Sequence, residues 1–219
     1  MHQNDFVGSL ICSDSMEVMR KMPDKSIDLV LTDPPYGIGE TNEKNSSRRK
    51  LSNPKDYGHY DWDNKKIDVE YFIEMRRISK NQIIFGGNYY SNYLPASSCW
   101  IVWDKDNSGD FADCELAWTS FSSAVRIFKW RWNGMLQQDM SNKEVRTHPT
   151  QKPRALMTWI LNKYSKESDV ILDPFMGSGT VIEACKLLNR NYCGIDINPS
   201  YVEMARERMK QGVLVASHF

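Results

Sequence analysis

The run Ile27, Leu29, Val30 and Leu31, closed by Asp33-Pro34-Pro35-Tyr36-Gly37, constrains the fold more than any other stretch of the chain. Its aliphatic and β-branched residues leave no polar face, the pattern of a strand buried on both sides in a parallel sheet. Parallel strands need crossover connections, usually helices, so the chain reads as α/β. Asp33 stands where that strand ends, the edge at which open α/β sheets bind ligands. The two prolines lack N–H donors but keep their carbonyl acceptors. The loop therefore offers a carboxylate, carbonyls and the Tyr36 ring. Such a set suits a planar group that donates two hydrogens, as the exocyclic amine of a nucleobase does. A proline turn and an Asp helix cap explain the same residues about as well.

The flanking pattern supports an α/β chain. Residues 9–12 read as a strand, Ser13-Asp14-Ser15 as the cap of a helix over 16–22, and Pro23-Asp24 as the turn into the strand above. Asp14 thus also lies at a strand's carboxyl end, where a helix cap is its plainer role. An amphipathic helix is expected over 67–79 and strands over 82–86, 100–103 and 124–130. The last two read as an antiparallel pair at a sheet edge, separated by a turn and a polar stretch before Phe121. Of Trp130 and Trp132, one is expected in the core and the other could meet a base. Pro153 sits near the start of a helix over 156–164, as first-turn prolines do.

A second motif follows the strand expected at 169–172. Asp173-Pro174-Phe175-Met176-Gly177-Ser178-Gly179-Thr180 opens a helix over 181–188, the context of a nucleotide-binding glycine loop. Ile182 stands where the third glycine of a dinucleotide fingerprint would fall, which disfavours a pyrophosphate. A helix N-terminus still suits a carboxylate, and Asp173 could take an ammonium group. Asp196, at the end of a strand over 192–197, lies ~20 residues beyond the glycines, where a carboxylate accepts hydrogen bonds from ribose hydroxyls. Tight strand–helix packing would explain the two glycines, but not acidic residues at both strand ends.

Length and charge bound the remainder. At 219 residues the chain suits one domain able to bury roughly 70% of its unfolded surface. Its 28 basic and 28 acidic residues balance, so contact with nucleic acid has to come from local patches. The best such patch is the long polar segment 38–66, with Lys44, Arg48, Arg49, Lys50 and Lys55 interleaved with Tyr57, His59, Tyr60 and Trp62. Basic groups for phosphates and rings for unstacked bases are the composition of a nucleic-acid-contacting loop, expected to be mobile without DNA. A solvated surface is the plainer reading of any charge run. Five cysteines without a Cys-x-x-Cys pair argue for reduced thiols rather than a disulfide framework or zinc site. With no signal peptide and no apolar run near ~18 residues, the expected location is the cytoplasm.

Asp33 to Tyr36, His148 to Pro153, Asp173 to Thr180 and Gly194 to Tyr201 resemble the permuted, β-type DNA amino-methyltransferases, and residues 110–136 resemble phage and prophage adenine methyltransferases. The resemblance implies a doubly wound, mostly parallel seven-stranded sheet of Rossmann-like methyltransferase type. Its strand order would be 3-2-1-4-5-7-6, with an antiparallel edge strand and a circular permutation that sets the catalytic loop before the cofactor loop. It further implies methyl transfer from S-adenosylmethionine to the N6 amine of adenine in DNA by base flipping, without a metal. Carried over by position, Asp33, Pro34, Pro35 and Tyr36 are catalytic and Tyr36 stacks on the flipped base. Asp14 approaches the cofactor's adenine and Asp196 its ribose. Asp173, Phe175 and Gly177 meet its methionine end, with Thr150, Gln151 and Lys152 in the same pocket, and Ser178, Gly179, Thr180 and Ile197 are further cofactor-binding residues. Arg48, Arg49, Lys50, Lys55, Tyr57 and Trp62 are the expected DNA contacts.

On this reading one methyltransferase domain spans 1–219: a catalytic half at 1–132, a short variable segment at 133–147 and a cofactor half at 148–219. The partner is DNA in a bacterial or phage-infected cell. Homodimers are frequent in the family, and the sequence identifies no restriction enzyme partner. The rival readings are an N4-cytosine methyltransferase of the same geometry and a catalytically idle cofactor- or DNA-binding module.

Overall fold

The computed structural model describes residues 5–37, 66–107, 112–133, 136–144 and 151–210. In chain order the elements are β1 (Ser9–Cys12), α1 (Ser15–Met19), β2 (Ile27–Thr32), α2 (Val69–Ile78), β3 (Ser79–Phe85), β4 (Trp100–Asp104), β5 (Cys114–Thr119) and β6 (Arg126–Lys129). A short hairpin of β7 (Trp132–Asn133) and β8 (Leu136–Gln137) precedes α3 (Arg154–Tyr164), β9 (Val170–Asp173), α4 (Thr180–Leu187), β10 (Asn191–Asp196) and α5 (Pro199–Lys210). Among the described residues no helix is long and apolar enough to cross a membrane. The expected DNA contacts Arg48, Arg49, Lys50, Lys55, Tyr57 and Trp62, and the mobility of their segment, lie outside the described residues, as does Thr150.

One sheet carries eight strands in the order β1-β10-β9-β2-β3-β5-β4-β6. With β9 counted as the first strand, the leading seven reproduce the order 3-2-1-4-5-7-6, and β6 adds an eighth at the far edge. β1 lies parallel to β10, Cys12 opposite Asp196, so the first strand of the chain completes the half built by the last. This pairing is the permutation expressed in structure.

The far edge differs from expectation in two ways. β5, read in sequence as part of a polar stretch, is a strand antiparallel to both β3 and β4, and lies inside the sheet rather than at its edge. β4 and β6 then run parallel, Ile101 opposite Arg126, where an antiparallel pair was expected. Glu115, near the start of β5, hid the strand. Its charge is tolerated because Lys105 and Lys152 lie 2.5 and 3.0 Å from its carboxylate.

Alternation along each central strand feeds two cores. Val30, Ile84, Leu172 and Ile195 pack with Val18 and Met19 of α1 and Phe72, Met75 and Ile78 of α2. Leu29, Leu31, Ile83, Phe85 and Ile171 turn the other way, onto Leu156 and Ile160 of α3 and Val181 and Ala184 of α4. Trp132 is buried in this second core and Trp130 packs at its margin. At the β1 end, Ile182 of α4 and Val202 and Ala205 of α5 close over Met176.

Gly179 fixes how α4 meets α5. It caps α4 with φ +81°, and a Cβ there would come within 2.8 Å of the Ala205 Cβ and 3.3 Å of its Cα. Neither neighbour is a flexible chain end. Gly179→Ala is therefore expected to cost about 2 kcal/mol, a drop of roughly 4–8 °C in Tm. Differential scanning calorimetry checks it, and an unchanged Tm would contradict the packing argument.

Candidate active site

Four adjacent parallel strands bring acidic residues to one edge of the sheet. Asp14 follows β1, Asp196 ends β10, Asp173 ends β9 and Asp33 follows β2. At about 4.8 Å per strand, these carboxylates span on the order of 15 Å. All four line a single cavity of about 280 Å³, with Pro34, Pro35, Tyr36, Tyr71, Phe175 and Lys152 among its other walls. The two motifs, separated by 140 residues of chain, thus face one space.

Asp14 and Asp196 each do structural work at the rim. Asp14 accepts a hydrogen bond from the Met16 N–H at 2.7 Å, capping α1, and one from the Tyr71 hydroxyl at 3.4 Å. The cap and the cavity wall are therefore the same residue. Asp196 accepts from the Gly177 N–H at 2.9 Å and the Asn198 N–H at 2.8 Å, which locks the glycine loop to the end of β10. Burial raises its carboxyl above the usual range, and those two amides draw it back. Each oxygen still has a lone pair for a further donor. Gly177, Ser178 and Thr180 line the cavity, while Gly179 is occupied with helix packing. Ile197 is two-thirds exposed at the mouth, and Phe175 lies against Tyr71 with ring centres 5.7 Å apart.

Asp173 is the least compensated charge. Only 3% exposed, it accepts hydrogen bonds from the Thr32 hydroxyl at 2.8 Å and the Phe175 N–H at 3.1 Å, both neutral donors. Burial pushes its carboxyl up to about 7, with Asp33 and Asp196 adding to the rise. A buried carboxylate with no cation beside it among the described residues is a receptor for one.

Asp33 has the opposite surroundings. One of its oxygens accepts from the Lys152 ammonium and the other from the Tyr36 hydroxyl. Lys152, just before α3 and 7% exposed, also reaches Glu115 at 3.0 Å, and Glu115 pairs with Lys105 at 2.5 Å. Burial raises the Asp33 carboxyl, Lys152 opposes that rise, and Glu115 reinforces it. Burial works against the Lys152 charge, yet Asp33 and Glu115 together hold its pKa well above that of a free lysine. Grouped with the cofactor pocket in sequence, Lys152 does line it, but its ammonium is engaged by Asp33. Gln151 is buried beside it, its carbonyl accepting from the Trp132 indole N–H at 3.0 Å.

Tyr36 is held by residues that sequence reasoning passed over. Its ring stacks on Tyr89 with centres 4.8 Å apart and planes 19° from parallel, and the Tyr90 hydroxyl donates to the Pro35 carbonyl. Gly86, with φ +65°, makes room: a Cβ there would lie 2.1 Å from the Tyr36 ring. The break Gly86-Gly87-Asn88 after β3 was the available signal for this support. For Glu115, no local pattern marked the site.

Comparison with known proteins gives this site a family. The type II methyltransferase M.HpaI of Haemophilus parainfluenzae is 31% identical over 245 residues, covering 91% of this chain and 73% of its own. This chain belongs to the N6/N4 DNA amino-methyltransferases. A family profile described as DNA methylase, of N6/N4 type, matches residues 121–207. M.HinfI of Haemophilus influenzae is 27% identical, covering 95% of this chain and 70% of its own. The solved M1.HpyAVI–SAM complex shares the fold with a TM-score of 0.59 at 24% identity, over 91% of this chain and 98% of that one. So does the cytosine-N4-specific PvuII DNA methyltransferase, with a TM-score of 0.62 at 16% identity, over 97% and 88%.

As a DNA amino-methyltransferase the protein acts on DNA and uses S-adenosylmethionine as methyl donor. The cavity suits that donor on its own chemistry. A row of carboxylates, one of them buried against neutral donors only, fits a ligand with an amine, hydroxyls and an ammonium group.

Proposed function

We propose that this amino-methyltransferase transfers its methyl group to the N6 amine of adenine, with Asp33 and the Pro34 carbonyl as acceptors for the two amine hydrogens. The observation that carries the reading is Asp33 at the cavity end of β2, paired with a buried lysine and keeping acceptor positions on both oxygens. The aspartate itself favours adenine, since cytosine members of the family more often carry serine there.

The amine of adenine is a poor nucleophile because its lone pair is delocalised into the ring. Two acceptors held by the loop turn that lone pair out of the ring plane and toward the methyl group. When bound, S-adenosylmethionine supplies an electrophilic methyl group on a sulfonium centre. As the methyl group passes to the amine nitrogen its bond to sulfur would break, the electron pair staying on what becomes a neutral thioether, and one amine hydrogen would leave as a proton to the Asp33 carboxylate, whose burial suits it to accept one. Asp14 serves the donor's adenine, Asp196 its ribose, and Asp173, Phe175, Gly177, Ser178 and Thr180 its methionine end. The Tyr36 ring, backed by Tyr89, is the stacking surface for a base turned out of the duplex. The reading treats the chain as one domain in which the half before residue 133 handles the base and the half after 147 the donor.

Incubating the protein with methyl-labelled S-adenosylmethionine and unmethylated DNA, then analysing digested nucleosides by mass spectrometry, tests the proposal. Label in N6-methyladenine is expected. Label in N4-methylcytosine would overturn the choice of base, and an unlabelled digest would overturn methyl transfer to a DNA amine.

A further inference from the structure

Lys152 sits where two carboxylates from distant parts of the chain converge. Asp33 comes from the loop after β2 and Glu115 from the start of β5, and both approach the same ammonium. Lys105 closes the set on the far side of Glu115. Two cations therefore balance two anions, with Lys152 as the only cation touching Asp33 among the described residues. The other polar groups near Asp33 are the Tyr36 hydroxyl from its own loop and Asp173 at the end of the neighbouring strand β9.

We propose that Lys152 is a positioning residue for methyl transfer, which with Glu115 as its second anchor holds the Asp33 carboxylate as an anion turned into the cavity. The inference rests on the function proposed above and deepens it.

The arrangement has features that simple bridging of β5 to the loop would not need. An ammonium is a compact charge with three rotatable donors, so one can serve Asp33 and another Glu115. Taking both ions out of water is costly, and a hydrophobic pair would bridge the same gap as well or better. What a hydrophobic pair cannot do is stop a buried carboxyl from taking up a proton. A protonated Asp33 would lose one of its acceptor oxygens and the charge that draws the amine. The two partners also act on Asp33 in opposite senses: Lys152 favours its anion, whereas Glu115 opposes it while anchoring Lys152.

That opposition sets the test. Single-turnover methyl transfer to DNA is measured across pH for wild type, Lys152→Met and Glu115→Gln, with S-adenosylmethionine affinity followed by calorimetry. Without the cation, Asp33 ionises only at higher pH. The acid limb of the Lys152→Met profile should rise by at least about one unit, a loss of about tenfold at pH values on that limb, regained as the pH is raised. Without the repelling carboxylate, Glu115→Gln should move the same limb to lower pH. Donor affinity should change little in either variant. Limb position does not depend on the fraction of folded protein, so partial misfolding leaves the comparison intact. Profiles that scale without moving, or move together, would overturn the inference. So would a Lys152→Met defect that lies in donor affinity. A wild-type protein that methylates no DNA would instead overturn the functional reading, and this inference with it.

Discussion

Asp33→Ala is expected to lower single-turnover methyl transfer at least about 10³-fold, because it removes both an electrostatic acceptor and the proton acceptor, contributions of about 10²–10³ or more each. S-adenosylmethionine affinity should stay within a few fold. The carboxylate faces the loop and Lys152, while Asp14, Asp173 and Asp196 provide the remaining acidic wall. Lys152 keeps Glu115 as a partner in the variant, so no cation is left buried alone. Rapid-quench transfer assays combined with titration calorimetry separate the two effects. A variant that retained most of its turnover, or lost donor binding in proportion to activity, would remove Asp33 from its role.

Asp173→Asn should act at the end of the neighbouring strand β9 and in two directions at once. The amide keeps an acceptor for Thr32 and Phe175 but loses the charge offered to an ammonium group. A charge-assisted hydrogen bond of about 2–3 kcal/mol corresponds to roughly 30- to 150-fold weaker donor binding. Stability should move the opposite way. In the native protein the carboxyl titrates at about 7, against 3.8 for an unperturbed group. Its stability contribution is complete below the unfolded value and is lost as the pH climbs through the native one. The variant lacks that loss, so it should be more stable than wild type by up to about 4 kcal/mol at pH 8, or roughly 8–16 °C in Tm, and by less at pH 5. Wild-type donor affinity should fall as the pH drops below about 7, where Asp173 takes up a proton, and the variant should be flat. A variant that binds the donor normally at pH 8 would contradict the assignment.

The parts of this fold legible in the sequence are those where local pattern and tertiary environment agree. The aliphatic runs that became β2 and β9 are buried on both faces, so nothing but a central parallel strand could use them, and the aspartates that close them were visible as breaks in apolar runs. β5 was not legible because its stability depends on a pairing its own sequence does not show. Glu115 reads as a surface residue until Lys152, 37 positions away, is brought beside it. Missing β5 also reversed the direction expected between β4 and β6, since the chain runs through an unseen antiparallel strand on its way from one to the other. Lys152 was placed in the right cavity but not against Asp33, a contact across 119 residues. Asp14 showed the limit of choosing between roles, since one carboxylate both caps α1 and lines the site.

The account divides the cavity between a donor served by Asp14, Asp196 and Asp173 and a base amine served by Asp33 and Pro34. The most direct measurement is a diffraction structure of the protein with a non-transferring S-adenosylmethionine analogue and a duplex bearing the sequence it methylates. The account predicts a base turned out of the helix with its amine nitrogen within about 3.2 Å of the Asp33 carboxylate, Lys152 still paired to Asp33, and the analogue's ammonium group on Asp173. An analogue whose ammonium group lies on Asp33, or a base amine held by other residues, would contradict it.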